Sequence, residues 1–114
     1  MKLFVDFHGV YDSNKGNCKY VVSKLPLDFQ SSLELNQFVM KTVKLVKDDL
    51  LEAKKQGYGI TLGLPDSPIG ACAIVEAVKG IIGYTPYVLF SYEPTWCELD
   101  LEEIREESRD LFRR

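Results

Sequence analysis

Three short apolar runs, each closed by glycine or proline, alternate with two helical patterns along this chain. That alternation limits the fold more than any other feature. The runs are "KLFVDF" from Lys2, "YGITLGL" from Tyr58 and "PYVLFSY" from Pro86. Nearly continuous apolar runs of this length suit strands buried on both faces, as in a parallel sheet. After the first, "CKYVVSKLPLDF" reads as a short strand near a sheet edge, because Pro26 has no N–H to give to a central ladder. A capping box follows, Ser31 standing three residues before Glu34. Behind it Leu35, Val39, Val43, Val46, Leu50 and Ala53 recur at spacings of three and four, one face of a long helix. Lys41, Lys44, Lys47 and Lys54 fall mostly on its wet side, and Gly57 and Gly59 stop it.

The second helix is read in "PDSPIGACAIVEAVKGIIG", with Ser67 as N-cap, Pro68 in the first turn and Gly83 as the stop. "WCEL" adds one more short strand. Asp100 then caps a last helix with acids in its first turns and Arg113 and Arg114 at its end, which matches the helix dipole. Strand, helix, strand, helix, strand implies right-handed crossovers and a mostly parallel sheet. The expected fold is therefore α/β, a single Rossmann-like domain over 1–114 with helices flanking the sheet.

Composition narrows the partners. The chain has 114 residues, 46% of them apolar, enough for one core and a self-association surface. No apolar run approaches the ~20 residues of a membrane span. One lysine and then Asp6 at the amino terminus do not read as a signal peptide. Cys18, Cys72 and Cys97 are odd in number, widely spaced and without histidines beside them, which fits a reducing cytoplasm better than a disulfide frame or zinc site. A net charge of −3 argues against long duplex nucleic acid as a partner. A small anion remains open, since backbone amides hold phosphates without a basic surface.

In open α/β sheets ligands sit outside the carboxyl ends of the strands. Two glycine- and proline-marked loops lie there, "HGVYDSNKGN" after the first strand and "PDSPIG" after the central one. They supply the candidate ligand contacts: His8, Gly9, Tyr11, Asn14 and Lys15 from the first loop, and Pro65, Asp66, Ser67, Pro68 and Gly70 from the second.

The chemistry these residues offer is limited. "VDFHG" differs from the D-x-D-G pattern of aspartate-nucleophile phosphatases, because His8 stands where the second acid must protonate the leaving group. Asp6 is expected instead to be a strand residue held by neighbouring donors. His8, the only histidine, is either a ligand contact, an acid–base group or an ordinary loop residue. With one histidine and no acidic cluster, neither a metal nor another cofactor is expected. "LGLPDSPIG" lacks the G-K-[ST] of a nucleoside-triphosphate loop. It leaves a helix N-terminus with Ser67 beside it and Gly70 for close backbone approach, or simply a helix start. Tyr11, Tyr84, Tyr87 and Tyr92 either stack on bases or pack at the sheet rim. Arg105 and Arg109 are placed to pair with Glu102 and Glu106.

Taken in order, "LFVDFHG", "YVVSKLPLDF", "LGLPDSPIGACAIVEAVKGIIGYTP" and "LDLEEIREESRDLFRR" resemble the small Csx-type accessory proteins of type III CRISPR systems. These are related to the group that handles cyclic oligoadenylate messengers. The resemblance runs nearly end to end and rests on the order of motifs. It departs at "FHGVY", where the family loop places serine or asparagine before the histidine and proline after it. What it implies is a homodimer whose paired loops enclose a cyclic oligoadenylate, most often the tetra-adenylate. Some relatives act as ring nucleases and others only sequester the messenger. The reading taken from this is a cyclic-oligoadenylate-binding protein that damps the signal by holding it, with His8 as the one candidate catalytic group. The alternatives are a metal-independent ring nuclease and a protein-interaction module without a nucleotide.

Overall fold

The computed structural model describes residues 1–9, 18–26, 28–92 and 95–113. In chain order the elements are β1 (Lys2–Asp6), β2 (Cys18–Val22), α1 (Ser32–Gln56), β3 (Gly59–Gly63), α2 (Pro68–Ile82), β4 (Tyr87–Tyr92), β5 (Thr95–Asp100) and α3 (Leu101–Phe112). They form an α/β domain around one five-stranded sheet in the order β2-β1-β3-β4-β5. β2, β1, β3 and β4 run parallel, and β5 returns antiparallel to β4. The mostly parallel sheet expected from the alternation is present. β2 lies at an edge, as expected, although Pro26 falls beyond its last residue, Val22, and "WCEL" belongs to a full β5 rather than a fragment.

Local chemistry sets the helix ends. Ser31 Oγ accepts the Glu34 N–H at 3.1 Å, while Glu34 reaches back to the N–H of Gln30 rather than to that of the cap. Gly57, at φ 74°, ends α1 in the left-handed region that side chains resist. Asp100 Oδ1 accepts the N–H groups of Glu102 and Glu103 at 3.0 and 3.2 Å to start α3. A cap contributes about 1 kcal/mol. Each fully buried valine or leucine contributes about 1.5–3 kcal/mol, so packing of the apolar stripe decides where α1 lies.

That stripe is Val39, Val43, Val46, Leu50 and Ala53, with Thr42 buried beside them. Leu35, expected on the same face, is only half-buried near the helix start. From α2 come Ile74, Val78 and Ile82, and from the sheet Leu3, Val5, Ile60 and Leu62. All belong to one core, and α1 packs along α2. The crossovers β2–α1–β3 and β3–α2–β4 step across the sheet in the same direction, and crossovers of one hand then set both helices on one face, where they pack together.

The other face is built differently. Phe4 stacks on Tyr20 with ring centroids 5.7 Å apart. Thr61 Oγ1 donates to Glu98 Oε1 at 3.1 Å, and Lys2 pairs with the same carboxylate. α3 buries no residue. No helix among the described residues is long and apolar enough to cross a membrane.

Candidate functional site

β1 ends on Asp6, whose side chain is fully buried. Both carboxylate oxygens are engaged. Oδ1 accepts the N–H groups of His8 and Gly9 at 2.9 and 2.8 Å, and Oδ2 accepts the Tyr20 hydroxyl at 2.8 Å. A carboxylate so held folds the chain into a tight turn just past the strand and is in no position to attack phosphorus. The expectation that Asp6 is held by neighbouring donors is met, and the donors are now named. Gly9 completes the turn at φ 87°, and a Cβ there would sit 3.1 Å from Lys24 Cδ.

The turn is clamped from both sides. The Phe7 N–H donates to the Gly63 carbonyl at 2.8 Å, which extends the β1–β3 pairing by one residue. On the opposite side the N–H groups of Ser23 and Leu25 donate to the carbonyls of Asp6 and Phe7 at 3.0 and 3.2 Å. His8 is thus the first residue past β1 that the sheet no longer holds. It lies where the chain, having placed β2 on one side of β1, returns to place β3 on the other. Crevices of this kind open at the carboxyl edge of α/β sheets.

The second loop arrives at the same edge from β3. Asp66 Oδ1 lies 2.6 Å from His8 Nε2, joining the two loops through an imidazole–carboxylate pair. His8 is largely enclosed, with 21% of its side chain exposed, whereas the Asp66 side chain is 72% exposed. Pro65, beside Asp66, is buried. Ser67 caps α2, its Oγ accepting the Gly70 N–H at 3.1 Å and its carbonyl the Ala71 N–H at 2.8 Å. Pro68 is exposed at the first helical position and carries no N–H. Among the described residues, the Ile69 amide is therefore what this first turn has left to offer a ligand.

Gly70 plays a different part from the one its sequence position suggests. It is buried, and a Cβ built on it would lie 3.3 Å from Leu25 Cδ2 and 3.4 Å from Ser67 Cβ. Its smallness lets α2 pack onto the segment after β2, on the inner side of the loop. Tyr11, Asn14 and Lys15 lie outside the described residues. Of the candidate contacts, the structure brings together His8, Gly9, Asp66, Ser67 and Pro68, with Pro65 and Gly70 supporting them from inside.

Pairing of Asp66 with His8 was not legible as a pairing. Both residues were readable as ends of strands, but nothing in the sequence makes the first and third strands neighbours. Arg105 pairs with Glu102 at the expected spacing. Burial pushes the Cys18 thiol up, against the character a reactive thiolate needs. Among the described residues no three histidine, cysteine or acidic side chains cluster as a metal site would require. No protein-family model, curated protein or solved structure matches this chain.

Proposed function

We propose that the carboxyl edge between β1 and β3 binds a cyclic oligoadenylate, the tetra-adenylate ring in particular, across a homodimer in the cytoplasm. In this reading the protein damps type III CRISPR signalling by sequestering the messenger. The observation that carries it is the convergence of His8 and the Ser67-capped start of α2 at the strand-order reversal. The β2-β1-β3-β4 order also favours the Rossmann-like description, although no helix among the described residues links β1 to β2. A two-fold dimer would present the same edge twice to a ring with approximate two-fold symmetry. The positive end of α2 and a ring N–H donor at His8 suit a phosphate. Asp66 opposes one, so the ligand has to displace its exposed carboxylate from His8.

The His8–Asp66 pair gives the ring-nuclease reading a specific footing. A carboxylate fixes the tautomer and orientation of an imidazole that shuttles a proton. In such a step a ribose 2′-hydroxyl attacks the adjacent phosphorus and the bond to the 5′-oxygen breaks. A 2′,3′-cyclic phosphate and a 5′-hydroxyl result, the proton passing from the attacking to the leaving oxygen. Positioning for in-line attack is the larger contribution, and an acid–base group adds roughly 10²–10⁴-fold.

One assay tests both readings: incubation with labelled cyclic tetra-adenylate, followed by separation of bound, free and linear species. Sequestration predicts intact bound ring, with His8→Ala weakening affinity by about 1–3 kcal/mol. Cleavage predicts linear product that falls roughly 10²-fold or more in both His8→Ala and Asp66→Asn at saturating protein. Failure to bind the ring overturns both and leaves a protein-interaction module.

A further inference from the structure

We propose that α3 pairs in parallel with α3 of a second copy of this chain, about a two-fold axis running along the helices. The inference deepens the homodimer in the reading above but needs no nucleotide. Leu101, Ile104, Ser108 and Leu111, spaced three, four and three apart, form one stripe of α3, with Phe112 at its margin. A stripe of this kind normally faces its own domain. Here Ile104, Leu111 and Phe112 are 46%, 61% and 80% exposed. In the first turn Leu101 is half-buried, and so, on the opposite side of the helix, is Glu102. Glu102 hydrogen-bonds to Thr85 in the α2–β4 connection, a contact that, with the Arg105 pair, holds its carboxyl below the ordinary glutamate range. Beyond that first turn the helix is exposed on every side, its apolar stripe included.

The borders of the stripe say what covers it. At 3.6 residues per turn, Arg105 and Arg109 line one border and Glu103 and Glu107 the other. A two-fold axis along the helix sets the basic border of one copy against the acidic border of its partner. An antiparallel pair would set like against like. The charges therefore select a parallel second copy. They also disfavour an anionic bilayer, which recruits helices with Lys/Arg-rich polar faces. Over the helix and its C-cap, Glu102, Glu103, Glu106, Glu107 and Asp110 outnumber Arg105, Arg109 and Arg113. A seam of 12 residues interrupted by Ser108 is short, so the association should reverse on dilution.

Sedimentation equilibrium of the full chain without nucleotide tests this. The expected result is a dimer at tens of micromolar that dissociates on dilution. Ile104→Asp with Leu111→Asp should weaken self-association by about tenfold or more, with the melting temperature of the dilute monomer unchanged. Glu103→Arg with Glu107→Arg, and separately Arg105→Glu with Arg109→Glu, should each be monomeric, while their mixture should dimerise. A monomeric wild type overturns the proposal, as does a dimer indifferent to the Ile104 and Leu111 changes. A lowered melting temperature in the dilute Ile104/Leu111 variant would show the stripe packed on its own domain and also overturn it. A mixture that stays monomeric would exclude the parallel seam. None of these outcomes depends on ring binding, so failure of the nucleotide reading would be recognised separately.

Discussion

Asp6 shows how much one buried side chain organises here. Among the described residues, three donors reach it from two places, the turn it begins and Tyr20 on the neighbouring strand. Removing the carboxylate leaves two backbone N–H groups and a hydroxyl without their acceptor. A buried donor left unsatisfied costs about 1–3 kcal/mol. Asp6→Ala should therefore lower stability in urea titration by roughly 2–3 kcal/mol or more, and Tyr20→Phe by about 1 kcal/mol. Because the two share one bond, the double variant should fall short of their sum. Wild-type stability for Asp6→Ala would mean that the turn is held by other contacts. His8 depends on this residue through the backbone, since the same carboxylate that accepts its N–H fixes where its ring emerges.

At the scale of an element, the start of α2 combines two demands that the sequence presents as one motif. Ser67 satisfies an amide and Gly70 makes room, and the two changes should separate in experiment. Ser67→Ala removes a cap and should cost about 1 kcal/mol, typical of N-caps. Gly70→Ala offers a better helix former, worth up to about 1 kcal/mol in an exposed helix. At this position it must push against Leu25, a core residue that is 1% exposed. Overpacking of this kind costs about 1–3 kcal/mol. Thermal unfolding should show Gly70→Ala destabilised despite its propensity. A stabilised variant would show that Leu25 yields at no cost and would return Gly70 to the surface role its loop suggests.

For the whole molecule, the two faces of the sheet divide the labour. One is closed by α1 and α2 over a continuous apolar core, and the other carries Asp6, Tyr20, Thr61 and the Lys2–Glu98 pair. Amides of β1 and β3, central in the sheet, should exchange with deuterium only on global unfolding. Those of α3, which buries nothing, should exchange fastest among the helices in dilute protein. Raising the protein concentration should slow α3 alone if a second copy covers its stripe. Protection of α3 equal to that of α1 at all concentrations would contradict this division.

Much of this was legible because it depends on neighbours in sequence. The caps at Ser31, Ser67 and Asp100, the stop at Gly57 and the α1 stripe follow from contacts three or four residues apart. Buried strands follow from apolar runs that have no other place to go. The edge position of β2 was expected from Pro26, but Pro26 lies past the strand, so strand order rather than a missing N–H puts β2 there. What the sequence by itself determined was the kind and order of the elements, and with them the parallel class of the sheet. What only the tertiary structure decided was which distant residues meet. Strand order set the end of β1 beside the end of β3, and so gave His8 a carboxylate partner 58 residues away. It turned Gly70 inward onto Leu25 and left the apolar stripe of α3 facing out. Such pairings depend on where each crossover lands in the sheet, a choice made by the packing of the whole core and recorded in no local pattern.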